Sequence, residues 1–182
     1  NKITPAIGYS IGNLSFGIGV DFSISKMMFD RIYKDITNTY ELPGTFRYES
    51  NVGYSLGGKI GAVFKLFPET KIAYSFVSGN TSHLDGNMEV YTTKKEFPVQ
   101  NVNVSNSMSL PPRHQAGISH KIGSFLIAFD IRYIQWSNGF SSNKFVLERS
   151  VIPTPLGVDT NTLTFRLKWK DQVVYAIGTE YS

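Results

Sequence analysis

Cysteine is absent from the 182 residues, which excludes disulfides and thiolate metal sites and leaves the compartment open. No apolar run approaches the length of about eighteen residues that a transmembrane helix needs. Charge is scarce at 18% of residues, and the net +4 is spread along the chain without the basic stripe that a nucleic-acid partner requires. The three histidines, His83, His114 and His120, lack metal-ligand spacing. No phosphate-binding glycine loop and no converging Ser, His and acid are evident, so the chain reads as a non-enzyme with no cofactor and no metal. What is abundant is aromatic side chains, at 14%, and glycine, at 16 residues. The sequence starts at Asn1, without Met or a signal peptide, and reads as a mature or excised piece.

The stretch from Leu110 to Trp136 sets the pattern. It predicts a strand, a tight turn at Lys121-Ile122-Gly123-Ser124, and a second strand. Phe125, Ile127, Phe129, Ile131 and Tyr133 share one face, and Leu126, Ala128, Asp130 and Arg132 share the other. The same period of two runs through residues 2–11, 14–25, 50–66, 70–77 (continuing toward Val90), the strand before Gly123, and 163–181. Tight turns are predicted at Gly12-Asn13 and at Phe67-Pro68-Glu69-Thr70, and long loops at residues 30–48, 92–106 and 137–162. Connections thus alternate short and long, as in barrels whose short turns face the periplasm and whose long loops face outside.

Alternation alone does not decide which face is inside. A soluble β-barrel that binds lipid would turn its apolar face inward. The other face repeats Gly and Ser with Asp21, Lys59, Lys65, Asp130 and Arg132, which resembles a lumen lining. Aromatic residues such as Tyr9, Phe16, Phe64, Tyr133, Tyr175 and Tyr181 lie toward strand ends, as interfacial girdles do. These observations favour an all-β, antiparallel up-and-down transmembrane β-barrel with outer-membrane lipid around it. Lys59, Lys65 and Arg132 would then balance Asp21, Asp130 and Glu180 across its interior.

Several segments, in order, resemble the FadL family of outer-membrane transporters for long-chain fatty acids and other hydrophobic compounds. They are Leu14-Ser15-Phe16-Gly17-Ile18-Gly19-Val20, Thr70 to Phe76 with Leu84-Asp85-Gly86, Leu110-Pro111-Pro112, Gln135-Trp136-Ser137, and Trp169-Lys170-Asp171-Gln172 leading to Ile177-Gly178-Thr179-Glu180-Tyr181. The resemblance implies residues 1–182 as part of one barrel in the bacterial outer membrane, with about seven strands of a 14-stranded wall. An N-terminal hatch, the remaining strands and the strand kink of a lateral exit would lie elsewhere. It implies a barrel that is monomeric when complete and passive transport of a hydrophobic small molecule, either a fatty acid or an aromatic hydrocarbon. A polar diffusion pore or a purely structural barrel is the alternative within the membrane.

The same resemblance implies a ligand site. Family members place an Arg just above the second strand, and Arg31 stands at the similar position, beside Met27, Phe29 and Ile32. A Lys beyond the Trp-Ser motif is similar to Lys144. The apolar groups would carry the cargo, and the cations would hold a carboxylate.

Overall fold

The computed structural model describes residues 1–33, 44–92, 100–139, 142–148 and 162–181. Among them, the first half holds β1 (Lys2–Ile3), β2 (Ala6–Ile11), β3 (Leu14–Ser25), β4 (Met28–Tyr33), β5 (Gly44–Ser50), β6 (Gly53–Phe67), β7 (Thr70–Val77) and β8 (Asn80–His83). The second half holds β9 (Gly86–Thr92), β10 (Gln100–Leu110), β11 (Arg113–Ile122), β12 (Phe125–Ile134), the single turn α1 (Trp136–Gly139), β13 (Ser142–Leu147), β14 (Thr162–Arg166) and β15 (Gln172–Tyr181).

Two antiparallel sheets are stacked end to end. The lower one runs β1-β3-β6-β7-β11-β12-β15, with β2 also on β3, and is a half-barrel wall. The upper one runs β14-β13-β10-β9-β5-β4, with β8 on β10. Each upper strand prolongs a lower one in sequence, after short interruptions at residues 26–27, 51–52, 78–79, 111–112 and 167–171, and after α1. The predicted short turns form, and Gly12 and Gly123 take the left-handed φ of +55° and +59° that glycine admits without strain.

The predicted long loops at 30–48, 92–106 and 137–162 are corrected by this arrangement. Their described parts include most of β4, most of β5, most of β10 and all of β13, so the wall continues as paired strands above the point where alternation weakens. The last predicted strand, 163–181, is likewise two strands separated at 167–171.

Hydrophobic sense inverts between the two sheets. In the lower wall the large apolar residues Ile18, Ile60, Phe129 and Ile177 are exposed on one face, whereas Gly19, Asp21 and Ser23 opposite them are buried. In the upper sheet Tyr48, Met88, Val102, Val104, Phe145 and Leu147 are buried together, and Asp30, Arg47, Glu49 and Lys144 point away. Apolar residues outside suit lipid and apolar residues inside suit water. A single strand path therefore passes from one solvent to the other at the level of the interruptions.

Candidate functional site

The upper sheet curls until its edges meet. Phe29 on β4 lies 5.5 Å from Phe145 and 6.5 Å from Phe165, which belong to β13 and β14 at the opposite edge. Tyr48 joins them at 5.5 Å from Phe29 and 5.1 Å from Phe145, mostly in edge-to-face geometry. Aromatic pairs prefer such tilted contacts, each worth about 0.5–1.5 kcal/mol beyond burial. Met27 and Phe29 pack on this core from the β4 side. The result is a narrow roll with an aromatic interior, standing on a wider wall.

Polar groups line the neck below it. The Met27 N–H donates to Ser50 Oγ at 2.8 Å, Asn80 Nδ2 reaches Ser23 Oγ at 3.5 Å, and Asn106 Nδ2 lies 3.8 Å from Met27 Sδ. The Tyr48 hydroxyl donates to the Leu84 carbonyl, and burial pushes its phenol up to about 12. Buried oxygens of Ser55, Asn80, Asn106 and Asn143 have no protein partner among the described residues. These side chains are uncharged, rich in acceptors and only partly satisfied.

Charge returns lower in the lumen. Asp21, 1% exposed, is held by Lys2 at 2.5 Å, Lys59 at 3.4 Å and the Thr4 hydroxyl at 2.6 Å. Of the interior charges expected to balance one another as a set, Lys59 and Asp21 are in contact, with Lys2 as an unforeseen partner. Arg132 instead donates to Gln115 Oε1 at 3.3 Å.

The wall is interrupted beside the neck. β6 pairs with β7 only as far as Lys59↔Val77, and β5 pairs with β9 only from Ser50↔Gly86. Between them strand pairing on that side of β6 lapses, because β8 pairs with β10 instead. The β8 backbone comes over β6 so closely that a Cβ on Gly53 would collide with the His83 carbonyl oxygen. Glycine is required there by this close approach. Backbone bonds from Ser78 N to the Gly58 carbonyl at 2.8 Å and from Asn51 N to the Asp85 carbonyl at 2.7 Å close the lower and upper ends of the lapse.

The residues expected to hold a ligand divide as follows. Met27 and Phe29 lie at the roll interior. The Arg31 and Ile32 backbones pair with Phe46 and Thr45, two and three residues along the ladder from Phe29↔Tyr48, and their side chains lie outside the described residues. Lys144 is exposed on the outer face of β13, opposite the buried Phe145, and does not join the Met27–Phe29 group. Tyr48, Met88, Val102, Val104, Phe145 and Phe165 complete the apolar interior and were not anticipated. Their signal was present as Val102 and Val104 alternating with Asn101 and Asn103.

A family model described as "Outer membrane protein transport protein (OMPP1/FadL/TodX)" matches residues 1–182. No match is found among curated proteins. Among solved structures, the chain is similar to the CymD monoaromatic hydrocarbon channel, at 17% identity and a TM-score of 0.72 over 99% of this chain and 55% of that one. It is similar to the Ralstonia pickettii toluene transporter TbuX at 14% identity and a TM-score of 0.65, over 99% of this chain and 52% of that one. A TodX deltaS2S3 mutant monoaromatic hydrocarbon channel gives 14% identity and a TM-score of 0.72, over 100% of this chain and 51% of that one. The chain spans about half the length of these structures, and at such identities the likeness shows the fold. With the family model matched from end to end, the chain belongs to the outer membrane protein transport protein family (OMPP1/FadL/TodX), and its lower sheet is a stretch of β-barrel wall in the bacterial outer membrane.

Proposed function

We propose that the chain forms part of a passive channel that carries hydrophobic compounds across the outer membrane, binding and guiding cargo without catalysing a reaction. The observation that carries this is the aromatic interior of the roll, set directly above a neck lined by uncharged polar side chains where strand pairing in the wall lapses. An apolar molecule gains about 0.8 kcal/mol for each CH2 that leaves water. The roll offers such surroundings outside the membrane. The names of CymD, TbuX and the TodX mutant, which are monoaromatic hydrocarbon channels or a toluene transporter, support the hydrocarbon class.

Long-chain fatty acids would use the same apolar surroundings with one addition. Arg31, on the β4 strand that supplies Phe29, is proposed to hold the carboxylate, with Met27, Phe29 and Ile32 against the acyl chain. A charge-assisted bond of this kind is worth roughly 1.5–3 kcal/mol. Arg31→Ala in the membrane-inserted protein should weaken fatty-acid binding by about 10- to 100-fold and leave the methyl ester and toluene unaffected. Equal losses for acid and ester, or none for either, would remove Arg31 from the site. Lys144→Ala is expected to leave fatty-acid affinity unchanged, since Lys144 lies on the outer face.

A polar diffusion pore has one observation in its favour, the small and polar inner face made by Ser15, Gly17, Gly61, Ser75 and Gln115. Liposome swelling with sugar-sized solutes separates the two. Fast swelling together with no hydrocarbon uptake would establish the pore.

A further inference from the structure

Among the described residues, every Lys, Arg, Asp and Glu within the strands of the lower wall stands on its inner face, and cations predominate there. Near the periplasmic end Lys65 sits directly opposite Lys71, with Lys121 on the next strand, and only Glu180 shares that level as an acid. Near the neck Lys2 and Lys59 share Asp21, and Arg113 and Arg132 add two further cations.

The two arginines are set close together without a counter-ion. Arg132 stands opposite Gln115, and Arg113 precedes Gln115 on the same face of β11, so the arginines are diagonal neighbours. The Arg113 side chain has no hydrogen bond or ion pair among the described residues, and the Arg132 side chain donates only to the neutral Gln115, at 3.3 Å. Asp130, two residues from Arg132 on the same face, turns away: its carboxylate rests over Gly117, in the space a Cβ would occupy. β11 is paired with β7 and β12, and β12 with β11 and β15. The lateral neighbours of both arginines are therefore described, and Asp130 is the one carboxylate among them. Like charges this near oppose each other, and an anion between them removes the opposition.

A hollow adjoins the pair. Gly17, Gly61, Ser75, Gln115 and Gly117 leave a trough of about 320 Å³ on the inner face, and Gln115, which accepts from Arg132, belongs to both. A cationic pair at the rim of an uncharged hollow fits a molecule with an anionic head and a compact apolar body. Guanidinium suits a carboxylate in particular, because its planar fork of N–H donors matches the two oxygens.

We propose that Arg113 and Arg132 bind the carboxylate of a hydrophobic organic acid while its apolar body lies in the trough over Gly61 and Gly117. This rests on the channel reading above and deepens it, adding a station inside the lumen and a cargo class beside hydrocarbons. The station is separate from Arg31, which belongs to the upper sheet.

The test uses the full-length protein in phosphatidylcholine nanodiscs, with Arg31→Ala as the parent so that the upper cation contributes nothing. Binding of 4-phenylbutyrate and of its methyl ester is measured by calorimetry at about pH 7, where the acid is ionised, with empty nanodiscs subtracted. Adding Arg113→Gln and Arg132→Gln should weaken the acid by about tenfold or more and leave the ester within about twofold. Arg113→Lys with Arg132→Lys should keep most of the acid affinity, and Lys26→Gln, whose side chain meets Glu49 on the outer surface, should match the parent. Unchanged acid affinity in the double Gln variant would overturn the proposal, the arginines then being paired elsewhere in the complete barrel, and so would equal losses of acid and ester. A parent that binds the ester but not the acid removes this inference alone, whereas a parent that binds neither removes the channel reading with it. Heat-modifiable electrophoretic mobility checks folding, and the single Gln variants replace the double one if that fails to fold.

Discussion

The Tyr133 hydroxyl donates to Asp171 Oδ2 at 2.6 Å and so ties the top of β12 to the segment entering β15. Asp171 Oδ1 accepts the Ser137 N–H at 2.9 Å, and Trp136 Nε1 donates to Gln172 Oε1 at 3.0 Å. Two sequence motifs that resemble those of the family are thereby one joint. The hydrogen bonds from Tyr133 and then Ser137 hold the Asp171 carboxyl below the usual aspartate range. A lowered folded value means that this contribution is present above the ordinary aspartate value and is lost as pH falls through the lowered one. Wild type should melt above Asp171→Ala at about pH 7, and the gap should begin to narrow below about pH 4 and close only below the lowered value. A gap that stays constant across that range would assign the effect to something other than the ionised carboxylate.

Sidedness can be checked residue by residue. Single cysteines at Gly19, Lys59, Ala128, Asp130 and Gly178 should react with a membrane-impermeant thiol reagent. Those at Ile18, Phe64, Ile127, Phe129 and Ile177, on the apolar face, should not. Phe129→Arg should cost about 2–4 kcal/mol if it lies near the midplane, read from denaturant-induced unfolding in lipid.

Removing the Phe145 ring should loosen the roll without dismantling the wall. The residue is 2% exposed and meets Phe29, Tyr48 and Phe165. Phe145→Ala is expected to cost about 3–5 kcal/mol. Limited proteolysis should then cut within the upper sheet while the lower strands remain protected; unchanged protection above the neck would argue against a packed aromatic interior.

Two glycines should behave oppositely. A Cβ on Gly86 would collide with the Glu49 carbonyl oxygen and stand 2.6 Å from the Ser50 Cα, both backbone atoms that cannot turn aside. A Cβ on Gly117 would meet Asp130 Oδ1, the end of a side chain free to rotate into the lumen. Gly86→Ala should therefore destabilise by about 1–3 kcal/mol or more, and Gly117→Ala by well under that. Chemical unfolding of the pair decides this, and the reverse order would refute the packing described at Gly86.

Legibility followed the solvent. β3, β6 and β12 announced themselves because lipid on one face and a small, polar lumen on the other leave clean alternation, as in Phe125 to Tyr133. The upper strands read as loops in the sequence because their outer face meets water. Asp30, Arg47 and Glu49 interrupt the apolar residues, and Pro43-Gly44 is a turn signal in the same stretch. The family resemblance pointed to Met27 and Phe29 but not to their partners, since Phe145 and Phe165 reach them only when the sheet curls. Lys144 could not be placed on a face by counting, because α1 and the residues after it break the period between β12 and β13.

The meeting of Phe29 with Phe165 also bears on the order of assembly. Hairpins β2–β3, β6–β7 and β11–β12 join residues close in sequence, whereas this aromatic seam joins residues near opposite ends of the chain. Loop closure must be met before so distant a contact rewards it. The seam should accordingly zip late, and until then the apolar inner faces of β5, β9, β10 and β13 stand open to water. A nascent chain in that condition has strong reason to be escorted by a holding chaperone until the roll shuts.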